Sequence, residues 1–114
     1  MSEPTVILDD LFARMASEAD ETRVEAALRF FPSKPPVLGL PSGLSNQLGK
    51  ELAATLKGED LNTIIQVGTG LYATGVMEHA AVANEMLGRF WRRFGPEHWN
   101  LFDHWIGLFT FWEI

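Results

Sequence analysis

The chain has 114 residues, 46% of them hydrophobic and 21% charged, which is the composition of one globular domain with a modest core and excludes both a second domain and a disordered chain. It contains no cysteine, which excludes a disulfide framework and thiolate chemistry, and the N-terminus MSEPTVILDDLF has neither the basic region nor the apolar core of a signal peptide, so a cytoplasmic setting is expected. The formal net charge of −6 argues against nucleic acid as the partner of the chain as a whole, and no apolar run approaches the roughly eighteen residues of a membrane span.

Helical periodicity runs through almost the entire chain, and no segment alternates as a strand would. Ile7, Leu8, Leu11, Phe12 and Met15 share one face of a first helix. Val24, Ala27, Leu28 and Phe31 share a face of a second, for which Asp20 or Thr22 can serve as N-cap and Thr22 with Glu25 fits a capping box. The stretch FPSKPPVLGLPSG, with four prolines and two glycines, predicts irregular backbone over residues 31–43, pinned to the domain through its VLGL core. Leu44, Leu48, Leu52 and Leu56 then recur every fourth position behind a Ser42 or Ser45 cap, and GED punctuates before Leu61, Ile64, Ile65, Leu71 and Tyr72 of a fourth helix. Thr74-Gly75 breaks the pattern again. Met77, Ala80, Ala81, Leu87, Trp91 and Phe94 predict a long fifth helix that stops at Gly95, and Pro96 opens a sixth carrying Trp99, Phe102, Trp105, Ile106 and Phe109.

Six helices joined by short turns predict an all-α fold: a single domain over residues 1–114 built as a stack of antiparallel helical hairpins, of the HEAT-like, superhelical kind. Such a stack gives the end of the sequence a physical reading. In a solenoid each layer buries a face against the next, and a terminal layer needs a polar outer side. Here three of the four tryptophans fall within residues 99–114, and a layer bearing Trp105, Phe109, Phe111, Trp112 and Ile114 has no such side. The chain therefore reads as the N-terminal portion of a larger repeat fold, truncated at its C-terminus, and self-association through the aromatic layer is expected.

The acidity is unevenly spread. Residues 1–30 hold seven acids against three arginines, whereas RFWRRFG gathers Arg89, Arg92 and Arg93 on one or two adjacent turns of the expected fifth helix. That cluster is the candidate phosphate contact. Trp91, Trp99 and Trp105 sit at helical spacing on apolar faces and are expected in the core. His98 and His104 are six residues apart and do not share a helix face, so with Asp103 they make no convincing metal site. VGTGLYATG follows no strand and lacks the lysine of a phosphate-cradling loop, which leaves Gly68 and Gly70 as points of close helix packing or a kink.

The blocks LGLPSGLSNQLGKEL, GVMEHAAVANEMLGRF and HWNLFDHWIGLFTFWEI, in that order over residues 20–114, resemble the N-terminal half of the AlkD-type alkylpurine DNA glycosylases, which are built from HEAT-like repeats. The resemblance rests on Leu38 and Gly39 in the loop, on Lys50, Glu51 and Leu52 after it, and on Glu78 at the opening of the later helix, where Ala80 replaces a residue that is commonly basic. It implies excision of N3- or N7-alkylated purines from alkylated double-stranded DNA without metal or other cofactor. By the same resemblance Trp112 matches the tryptophan of the family's catalytic W-D-x-V-D motif, Glu113 replaces its first aspartate, and the catalytic aspartate would fall two residues past Ile114. A carboxylate there would stabilise an oxocarbenium-like transition state, and aromatic faces would attract the cationic base. The alternative is a non-catalytic helical-repeat module that binds a protein or nucleic-acid partner, which the acidic charge and the altered motif favour.

Overall fold

The computed structural model describes residues 3–29 and 36–108. Among these residues all regular structure is helical: α1 (Pro4–Ser17), α2 (Glu21–Leu28), α3 (Leu44–Leu56), α4 (Leu61–Ala73), α5 (Met77–Gly88) and α6 (Trp99–Leu108), with short 3-10 turns at Trp91–Arg93 and Pro96–His98. The helices form two layers. In one, α3 packs along α5; in the other, α4 lies between α1 and α6; and α4 against α5 joins them. The α3–α4 and α5–α6 hairpins thus stack like on like, as in a helical-repeat stack, while α1 packs on α4.

The apolar stripes read on α1, α3 and α4 face inward, whereas α2 buries none of its residues and α5 turns Val82, Ala83 and Met86 to the core in place of Met77, Ala81 and Trp91. Leu48, Leu52 and Leu56 of α3 meet Ile64, Val67 and Leu71 of α4 and Val82, Ala83 and Met86 of α5 in one core, with Met15 of α1 fully buried beside them and Ile7, Leu8, Leu11 and Phe12 against its edge. Glycine sets how closely the helices approach. A Cβ on Gly49 would lie 2.6 Å from that of Glu85, so α3 can run this near to α5 only without a side chain there. Gly68 against Leu87 and Gly70 against Leu8 serve α4 in the same way, so these glycines permit close packing.

Helix ends depart from the sequence pattern in three places. Asp20 caps α2 by accepting from the backbone N–H of Thr22 at 2.8 Å and of Arg23 at 3.3 Å, so of the two candidate caps it is the aspartate, and no Thr22–Glu25 box forms. α3 is capped by neither serine. Gly43 holds the N-cap position at φ 81, and the Leu44 N–H turns back to the Pro41 carbonyl at 3.1 Å, closing a tight turn that a residue with a side chain would strain.

The third departure bears on the candidate site. α5 ends at Gly88, six residues before Phe94, and the backbone tightens into i−3 bonds from Arg89 to Met86, Phe90 to Leu87 and Arg93 to Phe90. Gly88 is the weakest helix former of that segment. The tighter winding turns Phe90 into the core and leaves Trp91 65% exposed. Of the three tryptophans expected in the core only Trp105, 6% exposed, is there; Trp99 opens α6 with 74% of its surface in solvent. Residues 36–43 are irregular as expected, Pro96 opens the sixth helical segment, and no described helix is long and apolar enough to cross a membrane.

Candidate functional site

The shortened α5 separates the three arginines. Arg89 is the C-cap of α5 and donates from Nη2 to Glu85 Oε1 at 2.9 Å. Arg93, on the 3-10 turn, donates from Nη1 to the Glu59 carbonyl at 3.3 Å and lies 5.9 Å from the centroid of the Phe90 ring. Arg92 points elsewhere, its guanidinium 5.2 Å over the ring of Trp91. Arg92 is therefore set apart, while Arg89 and Arg93 stay on one side of the chain.

What replaces a shared helix face is a recess between α3 and the end of α5. Lys50, Ala53, Ala54 and Lys57 of α3 form one wall, and Arg89, Phe90 and Arg93 form the other, around about 460 Å³. Two of its cations were signalled by the cluster in the sequence; the two lysines were not, because they precede the arginines by more than thirty residues and only the packing of α3 on α5 unites them. The signal in the sequence is the i, i+3, i+4, i+7 set Lys50, Ala53, Ala54, Lys57, which puts two cations and two small residues on one stripe of a helix. Lys57 and Arg89 cap their helices, where a cation complements the dipole. Of the acids nearby, Glu85 is committed to Arg89, and the Asp60 carboxyl is held below its ordinary value by the Thr63 N–H and further by Arg93. In a chain of net charge −6, four cations converge on this one recess.

The same turn faces a second, apolar recess. Trp91 and Phe94 join Leu87, Pro96, Phe102 and Trp105 around about 540 Å³. The rings brace one another: Phe94 to Phe102 at 5.4 Å, Phe102 to Trp105 at 5.7 Å, and Trp105 to Tyr72 at 5.5 Å between centroids. Trp105 Nε1 donates to Thr69 Oγ1 at 2.8 Å, and the Tyr72 hydroxyl donates to Asn84 Oδ1 at 2.6 Å, with burial pushing the phenol up to about 12. His98 is held as a backbone acceptor, taking the Gly95 N–H on Nδ1 at 2.9 Å, with its ring edge-on to Phe94. Trp112 lies outside the described residues.

Glu78, matched in sequence to a helix-opening glutamate, has a structural duty. Its two carboxylate oxygens accept the backbone N–H groups of Leu38 and Gly39, each at 2.9 Å. The pinning of the VLGL segment is thus made by one carboxylate at the start of α5.

No curated protein and no solved structure gives a significant match to this chain. A family model does, over residues 11–114, that of the DNA alkylation repair enzymes. The match spans both recesses and the Glu78 anchor, and it agrees with the all-helical stack, so the chain belongs to the DNA alkylation repair enzyme family.

Proposed function

We infer that this chain holds DNA as a cytoplasmic glycosylase, built from HEAT-like repeats, that excises N3- and N7-alkylated purines from double-stranded DNA. The observation that supports it best is the convergence of Lys50, Lys57, Arg89 and Arg93 on one recess of an otherwise acidic protein of this family. A phosphate backbone is the partner such a recess suits. Arg89 and Arg93 contribute field at its rim, and Arg92 with Trp91 extends the contact toward the aromatic recess.

In the reaction the bond between sugar C1′ and the purine nitrogen breaks, its electron pair leaves with the base, and the alkylpurine departs neutral. Water adds to C1′ and loses a proton. Because the base is cationic beforehand, no acid is needed to make it leave, and what helps is negative or π-rich surface beside the sugar. In this reading Trp112 supplies such a face, as the matched tryptophan of the family motif.

The test is release of free 3-methyladenine or 7-methylguanine from methylated duplex DNA by the protein expressed from its complete reading frame. Release is expected, and Trp112→Ala should slow it roughly 2- to 30-fold, the size of a cation–π contact of about 0.5–2 kcal/mol. Tight duplex binding without any base release would instead favour the non-catalytic repeat module.

A further inference from the structure

Within this nucleic-acid reading, we propose that Lys50 and Lys57 are the principal phosphate ligands of the recess, each taking one backbone phosphate of duplex DNA. The arginines on the opposite wall are already engaged: Arg89 with the Glu85 carboxylate, and Arg93 with the Glu59 carbonyl and the Asp60 charge. The lysines are not. Among the described residues neither ammonium has a carboxylate partner, and the carboxylate next to Lys50, that of Glu51, is drawn to Arg14 of α1 at 3.6 Å.

Their placement fits a backbone. Seven residues of helix separate them by roughly 10 Å along the axis, farther than one phosphate group spans, so the pair addresses two phosphates. Between them the exposed Ala54 presents only a methyl group and Ala53 is buried, which leaves the helix surface low enough for a sugar-phosphate chain to lie against it. Helix-dipole complementarity accounts for Lys57 at the C-cap of α3, but Lys50 is two turns inside the helix, where that effect has faded.

Affinity for unmodified duplex DNA, measured across a salt series, reads this out. Lys50→Gln and Lys57→Gln should each lower the slope of log K against log salt by about 0.9, and the double variant by about 1.8. Ala54→Glu sets a carboxylate between the lysines on an exposed helix position and should weaken binding at least as far as the double variant does. Arg29→Gln, the same change in net charge as either single variant, at the C-cap of α2, should leave the slope where it was. All four positions are exposed, and unchanged melting curves would show that the variants fold. A slope unmoved in the double variant overturns the assignment, as does lysine-dependent binding to polyglutamate with none to duplex DNA, which would make the recess a site for acidic protein. The two proposals fail separately: lysine-dependent DNA binding without base release sinks the glycosylase reading alone, and base release with an unmoved slope sinks this one alone.

Discussion

His79 is a buried titratable residue whose surroundings lower its affinity for a proton. Only 7% exposed, it stacks on Phe12 of α1 at 4.6 Å and shares a 2.7 Å hydrogen bond between Nδ1 and Thr74 Oγ1. The threonine hydroxyl donates to the Leu71 carbonyl and accepts from the Val76 N–H, so the network assigns the ring hydrogen to Nδ1. Burial pushes the imidazole below its ordinary value, against a smaller opposing pull from Glu78. The sign follows. Below about pH 6.5 the unfolded histidine takes up a proton that the folded one refuses, so stability present above that pH is lost as pH falls through the lower folded value. Urea unfolding at pH 7 and pH 5.5 should show wild type losing stability between the two and His79→Gln losing less; equal losses would show that the acid sensitivity originates elsewhere. In the sequence His79 is one of three histidines beside an acid. Its burial depends on α1 crossing α4, and no local pattern encodes that crossing.

At the scale of elements, three segments distant in sequence meet at Gly39. Its carbonyl accepts the Asp20 N–H at 3.0 Å and Arg23 Nη1 at 3.3 Å, its N–H reaches Glu78, and the nearby Pro36 carbonyl takes the Met77 N–H at 2.9 Å. The loop thus satisfies the first donor of α5, the Met77 N–H, while tying down the start of α2. Gly39 has φ 75, and a Cβ there would run into the Asp20 carbonyl and lie 2.8 Å from Val24 N. Glu78→Gln, which sets an amide against one of two N–H donors, should cost about 1.5–3 kcal/mol in urea unfolding. Gly39→Ala should cost at least as much, and a loss under about 0.5 kcal/mol for either would mean the anchor yields freely. The apolar stripes of α1, α3 and α4 were legible because a helix repeats its face every 3.6 residues, but on α5 apolar residues occupy more than one face and the buried one, with Val82, Ala83 and Met86, was missed. Caps were less so. Gly43 could not be told from the serines beside it, and the end of α5 at Gly88 was hidden because Leu87, Trp91 and Phe94 keep helical spacing through a turn that is no longer an α-helix.

For the whole molecule the all-helical stack followed from periodicity, whereas the recesses arise from packing between layers, which periodicity does not specify. The same limit explains the tryptophans. Helical spacing says which residues share a face but not whether another layer covers it. On α6, Leu101, Phe102, Trp105 and Leu108 pack against the core, while Trp99 and Ile106, seven residues apart, share the outer face at 74% and 50% exposure. Of the aromatic layer first expected to drive association, Trp105 is buried and Phe109, Phe111, Trp112 and Ile114 lie outside the described residues, yet this outer stripe predicts the same outcome from within them. Two large apolar side chains so placed gain from burial against another apolar surface, about 1.5 kcal/mol each at the low end. The 114-residue chain should therefore sediment as dimers or larger species at high protein concentration. Trp99→Ser with Ile106→Ser should lower the association constant roughly a hundredfold, at about 1.4 kcal/mol per factor of ten. Both side chains face solvent, so the double variant should keep its helical circular dichroism. A wild-type chain that remains monomeric throughout, or an association that the double variant leaves untouched, would show that this stripe is tolerated in water.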